Sequence, residues 1–341
     1  MNTTMNNANR VGNTPCVTIM IRALGVAALA ATGLTAQFAS AQAYNPTKPI
    51  RFIVPYPPGG GTDIVARAIS IKLAESLGQS VIVENRPGAS EIIGTDIVAK
   101  SAPDGHTIGL ITNSLAINHG LMPKLPYDSL KDLQPVSNLV TVPFMLVAHP
   151  SVPANNIREL VAYAKAQGGK LNYASLGSGS PHGLAMEWFK HLAGVDIQAV
   201  PYKGVAPAMA AVAAGEVPLM MMGLTAGLAQ VKAGRLKAIA ATPARRVSVA
   251  PDLPTIAESG YPDFDITTWY GVVVPSGSRP EIIGRLSAEI GRALNAADIR
   301  ERFAAVGIEP APTTAAEFGE VIRRDVALWG RIIKTTGAKA E

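Results

Sequence analysis

The sequence predicts an α/β fold of two lobes, each a parallel or mixed sheet covered by helices, joined by two crossover strands. Three observations predict it. Short runs that are apolar on both faces alternate with helix-length segments from Arg51 to Ala241, as expected for strands buried beneath helices. Two extended stretches, residues 140–148 and 267–274, stand apart from that alternation. No repeat or low-complexity linker separates the halves. Lobes joined by two such stretches leave a cleft between them, a natural small-molecule site.

Taken in order, residues 51–56 read as a strand, 63–77 as an amphipathic helix and 80–84 as a second strand. The Asn85-Arg86-Pro87-Gly88 turn leads into a helix ending near Lys100, and the strand at 107–112 stops at Asn113-Ser114. The rhythm resumes with a strand at 171–176, a helix from Pro181, a strand at 198–202 and a helix to Ala214. Strands at 217–222 and 236–241 flank a helix that ends at Gly234. From Pro280 to Ile333 the pattern is almost wholly helical, broken near Asn295 and at 307–313, as packing for a sheet already made. Lobe one then comprises residues 44–143 plus 268–341, and lobe two residues 144–267.

Residues 1–43 read as a signal peptide. Arg10 and Arg22 are the only charges before Lys48, and an apolar run at 23–34 precedes overlapping A-x-A sites at Ala39/Ala41 and Ala41/Ala43. That run is too short to span ~30 Å of hydrocarbon. Cleavage after Ala41 or Ala43 and export to the periplasm follow. Cys16, the only cysteine, lies before the apolar run, on the wrong side for lipid attachment. The mature chain then has no disulfide and no thiol chemistry.

The full chain has a net charge of +5. Loss of the two arginines leaves about +3 by counting residues. No Lys/Arg cluster with interleaved aromatics is present, which argues against nucleic acid. A mildly positive exported protein suits a small anion. The five histidines, at 106, 119, 149, 182 and 191, show no metal-ligand spacing, so neither metal nor cofactor is expected.

The stretch Pro57-Pro58-Gly59-Gly60-Gly61-Thr62-Asp63 sits at a strand-to-helix turn. A P-loop needs Lys-Ser/Thr after its second glycine, and none is there; a dinucleotide fingerprint needs a third glycine where Ile64 stands. What remains is a glycine loop whose bare amides at Gly60, Gly61 and Thr62 face the positive end of a helix dipole. Asp63 reads as a helix cap with an i,i+4 partner in Arg67. A second such loop is Gly177-Ser178-Gly179-Ser180-Pro181-His182, with Pro181 suited to a first helical turn. Two helix N-termini can clamp an anion from both sides of a cleft. Asn113, Ser114 and Thr225 are small polar tips at other strand ends, where ligands gather in open α/β sheets. Trp269-Tyr270 reads as core or cleft lining. Ser178 or Ser180 with His182 allows a hydrolase, but the chain lacks a G-x-S-x-G elbow, and a Ser-x-His neighbour pair seldom gives triad geometry.

An ordered set of motifs carries a resemblance. Tyr56-Pro57-Pro58-Gly59-Gly60-Gly61-Thr62-Asp63, Glu84-Asn85-Arg86-Pro87-Gly88-Ala89, Ala102-Pro103-Asp104-Gly105 and Val200-Pro201-Tyr202-Lys203-Gly204 are followed by Gly234-Arg235-Leu236-Lys237-Ala238 and Pro254-Thr255-Ile256-Ala257-Glu258-Ser259-Gly260. Together they resemble the Bug family, the extracytoplasmic solute receptors of tripartite tricarboxylate transporters. The resemblance implies a periplasmic binding protein fold (type II-like) that closes over a small carboxylate and delivers it to a two-subunit membrane permease. It also implies that the loops 56–63 and 175–180 reach the ligand through amides, hydroxyls and waters. The expected ligand-binding set is Tyr56, Pro58, Gly59, Gly60, Gly61, Thr62, Asn113, Ser114, Ser175, Gly177, Ser178, Gly179, Ser180, His182 and Thr225.

Departures from the family pattern are informative. Glu91 and Ile92 stand where Gly-Asn is common. His182 lies one place before the usual His-Leu, and Met220-Met221-Met222-Gly223 replaces an ending with an acidic residue. Fewer polar groups there favour an aromatic or weakly polar acid. The expected function is a non-enzymatic, monomeric receptor for an organic carboxylate. A ligand-sensing receptor for a signalling partner and a secreted α/β hydrolase are the alternatives.

Overall fold

The computed structural model describes residues 44–339 other than Ser178, Val306 and Gly307. The expected signal peptide, its cleavage sites and Cys16 lie outside the described residues. The first half opens with β1 (Ile50–Val54), α1 (Gly61–Leu77), β2 (Val81–Asn85), α2 (Ile92–Ala99), β3 (Thr107–Thr112) and α3 (Ser114–Leu121). β2 and β3 flank β1 in parallel. Phe52, Ile53 and Val54 are fully buried, which is why β1 is apolar on both faces.

Two long strands tie the molecule together. β4 (Leu133–Ala148) pairs antiparallel with β9 (Thr267–Pro275) along its first part. Its last residues, from Phe144, pair antiparallel with β7 (Leu219–Gly223) and β8 (Lys237–Ala241). β5 (Asn172–Ser175) and β6 (Gln198–Pro201) add parallel strands beyond β7. The path β2-β1-β3-β9-β4-β7-β5-β6 is one mixed sheet, with β8 and the short β10 (Glu309–Pro310) also on β4. The second half is covered by α4 (Ile157–Gln167), α5 (Pro181–Ala193), α6 (Val205–Ala213) and α7 (Leu224–Lys232).

The C-terminal helices are α8 (Pro280–Asn295), α9 (Ala297–Ala305) and α10 (Ala315–Thr336). A capping box starts α10: Thr314 accepts from the Glu317 amide while the Glu317 carboxylate accepts from Thr314. The sequence places all of 268–341 in lobe one, yet α10 packs on both halves. Phe318 and Ile322 join the first-half core with Ile111 and Val273, whereas Trp329, Ile332 and Ile333 join Leu184 and Phe189 of α5.

Strand β4 is longer than its apolar signal. Residues 133–139, which carry Gln134, Pro135, Ser137 and Asn138, precede the extended stretch at 140–148 that the sequence marks. Ser137 and Asn138 are held by the 311–313 segment: Ser137 Oγ donates to the Thr313 carbonyl, and Asn138 Nδ2 to the Ala311 carbonyl. Two register shifts against β9 absorb the irregularity.

Candidate functional site

A cavity of about 1070 Å³ opens where the strands of both halves end. Its lining draws Tyr56, Pro58, Gly60, Gly61 and Thr62 from the first glycine loop, and Gly177, Gly179, Ser180 and His182 from the second. Ser114, at the start of α3, lies between them.

The first loop ends in an uncapped helix. Gly60 is the N-cap of α1 with extended backbone and no side-chain hydrogen bond, so the amides of Gly61, Thr62 and Asp63 lack helical carbonyl partners. Asp63 is not the cap. It reaches back from the first turn: its Oδ2 accepts from the Gly59 amide and Arg67, each at 2.9 Å, and its Oδ1 from Asn85 Nδ2 at 3.0 Å. Burial alone raises this carboxyl, but the Arg67, Gly59 and Asn85 hydrogen bonds outweigh it and hold the group at about 2. Gly61 is small for a reason, since a Cβ there would stand 3.1 Å from the Tyr270 hydroxyl.

The second loop is built differently. Ser180 Oγ accepts from the Gly183 amide at 3.0 Å and donates to the Gly177 carbonyl at 2.8 Å. Pro181 has no N–H, and the Gly183 amide is taken by that cap. The His182 ring lies on Phe144, centroids 4.2 Å apart at 30°. Burial lowers its pKa to about 4, so the imidazole is neutral at neutral pH.

Behind the first loop lies a carboxyl that faces no cation. Glu91, 1% exposed, follows Ala89 and Ser90, all three with positive φ (83°, 47° and 51° respectively). Its Oε2 accepts from the Tyr56 hydroxyl at 2.9 Å and the Thr112 hydroxyl at 2.8 Å, and both its oxygens lie 3.2 Å from the Thr112 amide. Burial pushes this carboxyl up to about 7, against the pull of those hydrogen bonds. Burial, then the Glu91 charge, raises Tyr56 well above the usual phenol range.

Four expected residues stand outside the lining. Gly59 supplies the amide bonded to Asp63. Asn113 is fully buried and anchors β9, its Oδ1 accepting from Thr268 Oγ1 at 2.6 Å. Ser175 Oγ accepts from the Gly177 amide at 3.1 Å. Thr225 lies in the first turn of α7, beside the lining residues Gly223 and Ala226. Ser178 lies outside the described residues.

Sequence reasoning missed the walls. Leu121, Met122, Val142, Phe144 and Leu176 give the cleft an apolar body, and residues 203–207 close one side. Tyr270 lines the cleft, while Trp269 is buried against Phe318 with its Nε1–H donated to Asp325. Lys203, exposed at the cleft edge, is the only lysine, arginine, aspartate or glutamate among the described lining residues. Its place in the Tyr202-Lys203-Gly204 motif is the one sequence signal that marks it.

A sheet in two halves around an open cleft, with bare amides at strand ends, defines a two-lobed solute-binding protein. Solved structures of that class match closely. An R. palustris protein with adipate gives a TM-score of 0.77 at 33% identity, covering 86% of this chain and 99% of that one. MatC from Rhodopseudomonas palustris with bound malate gives 0.73 at 30% identity, covering 84% and 99%. The chain belongs to the tripartite tricarboxylate transporter receptor family, TctC, whose profile matches residues 65–338. It is also 39% identical over 313 residues to protein BugT of Bordetella pertussis, covering 91% of this chain and 95% of that relative. No described helix is long and apolar enough to cross a membrane.

Proposed function

We propose that this chain is a periplasmic receptor that captures one small organic carboxylate between its lobes and delivers it to a two-subunit tricarboxylate-type permease. Residues 1–43 act as the export signal, and the mature chain works as a monomer without catalysis. Lobe one is residues 44–143 plus 268–341, and lobe two residues 144–267, with α10 bracing both. The observation that carries the reading is the bare N-terminus of α1 facing an apolar cavity. Three undirected amides and a helix dipole suit an anionic group, and the apolar walls suit its hydrocarbon body. The adipate bound by one relative is an acid of this type.

Binding residues are Tyr56, Pro58, Gly60, Gly61, Thr62, Ser114, Gly177, Ser178, Gly179, Ser180 and His182, with Gly59, Asn113, Ser175 and Thr225 supporting them. A ligand that touches both lobes only when they close shifts the population toward the closed form. The walls favour aromatic or longer aliphatic acids over small hydroxy acids. A thermal-shift screen of the mature chain with aromatic, aliphatic and hydroxy acids, and their amides as controls, tests this. At about 100 times Kd a ligand adds roughly 2.7 kcal/mol. Acids with apolar bodies are expected to raise the Tm and their amides to leave it unchanged. Shifts by neutral sugars or amines, and by no acid, would contradict the reading.

A further inference from the structure

Glu91 has no binding role assigned to it, yet its carboxyl backs the hydroxyls that reach the cleft. Its Oε2, the Tyr56 hydroxyl and Thr112 Oγ1 form a triangle with edges of 2.9, 2.8 and 2.8 Å. Tyr56 and Thr112 also line the cleft, and the Tyr56 hydroxyl lies 3.3 Å from Ser114 Oγ. Thr112 Oγ1 further accepts from the Ser114 amide at 3.1 Å.

The hydrogens in this triangle can be counted. With Glu91 ionised, three oxygens share two hydrogens, one from each hydroxyl, because a carboxylate only accepts. A buried anion holds both inside the triangle, leaving lone pairs of Tyr56 and Thr112 toward the cleft. With Glu91 protonated, three hydrogens serve the same oxygens, so a hydroxyl can turn its hydrogen outward toward an acceptor while the triangle keeps the two it holds in the ionised state. A carboxylate in the cleft meets lone pairs in the first state and a donor in the second.

Resting on the reading that the cleft takes a carboxylate, we propose that Glu91 is a positioning residue that takes up a proton when the ligand binds and thereby turns a Tyr56 or Thr112 hydroxyl toward it. The receptor is thus a proton-linked anion binder. No charged neighbour biases Glu91. β1 leads to Tyr56 and β3 presents Thr112, while α2 presents Asp96, which is 2.6 Å from Lys100. Tyr127, in the loop after α3, is held above the usual phenol range by burial and then by the Glu91 charge. α3 presents Asn118, whose amide donates to the Ser90 carbonyl, and its His119 is exposed. The Glu91 carboxyl, at about 7, titrates in the range where such coupling is measurable.

The test is calorimetric titration of the mature chain with adipate, between about pH 6.5 and 9, where the probe is ionised. Repeating it in buffers of different ionisation enthalpy counts protons taken up. One charge-assisted hydrogen bond gained predicts an affinity that falls about ten- to hundred-fold across that range. Uptake near pH 8 should lie between roughly 0.4 and 0.8 proton per adipate, the larger value going with the larger fall in affinity. In Glu91→Gln the amide oxygen can accept from the Thr112 amide while its NH₂ donates into the triangle. That variant should bind adipate at pH 9 about as tightly as the parent does at pH 6.5, without pH dependence. Affinity independent of pH with no proton uptake in the parent would overturn the coupling and leave the functional reading standing. Absence of binding by adipate, hexanoate and benzoate alike at every pH, in both proteins, would overturn the carboxylate reading and the coupling with it. The proton count needs no variant, so a folding defect in Glu91→Gln leaves the test decisive.

Discussion

The two glycine loops look alike in sequence and differ in what they offer a ligand. Both follow a strand and open a helix on the same cleft. The first turn of α1 presents Gly61, Thr62 and Asp63 with no cap on their amides, and it is backed by the Tyr56–Glu91–Thr112 triangle. The first turn of α5 has proline at its first position, and Ser180 occupies its own hydroxyl on the Gly177 carbonyl and Gly183 amide. The first jaw is therefore the electrostatic one. The second shapes the cleft, through a rigid loop and a neutral His182 stacked on Phe144. Similar glycine spacing does not make equal donors; the cap decides.

The largest expected effect lies behind the first jaw. Glu91 titrates at about 7 in the fold against 4.5 for a free carboxyl. Its folded pKa is raised, so the folded state binds more protons between those values and stability falls as pH rises from about 4.5 through about 7. The full penalty, present above that window, is up to about 3 kcal/mol. Urea unfolding at pH 5 and pH 8 should show this loss in the parent, and Glu91→Gln should remove most of it. Equal slopes in both proteins would remove the titratable group from the first jaw and blur the comparison.

Next in size is a packing change in the second jaw. A Cβ on Gly183 would stand 2.2 Å from the Gly177 carbonyl oxygen, so backbone must shift. Gly183→Ala is expected to cost about 1–3 kcal/mol of stability, read by urea unfolding, and to weaken adipate binding by displacing the loop. Ser180→Ala should cost about 1 kcal/mol for the lost cap while changing adipate affinity little, because that hydroxyl is already engaged. A large loss of affinity in Ser180→Ala would instead make the second jaw a direct donor. The smallest effect is on His182. NMR titration should find its imidazole neutral down to about pH 4, and a midpoint near the ordinary value would expose the ring and weaken the stacking account.

The loops were legible in the sequence because their signals are local: glycines after an apolar run, and proline at a helix start. The walls were not. Val142 and Phe144 lie on β4 where its pairing passes from β9 to β7, so their position depends on the whole sheet. Leu121 and Met122 close α3, a helix whose short mixed pattern escaped notice. Glu91 was visible as an unusual residue but not as a buried one. Three successive left-handed residues, Ala89 to Glu91, turn its side chain inward, and backbone of that kind has no clear signature in non-glycine residues.

The central claim is that the first jaw holds the charge and the second shapes the body. The crystal structure of the mature chain with hexanoate, which has a single charged end, tests it most directly. The account predicts carboxylate oxygens within hydrogen-bond distance of the Gly61 and Thr62 amides, with the alkyl chain running toward Phe144 and His182. A carboxylate seated instead on Gly179, Ser180 or Lys203, with the alkyl chain against the start of α1, would contradict it.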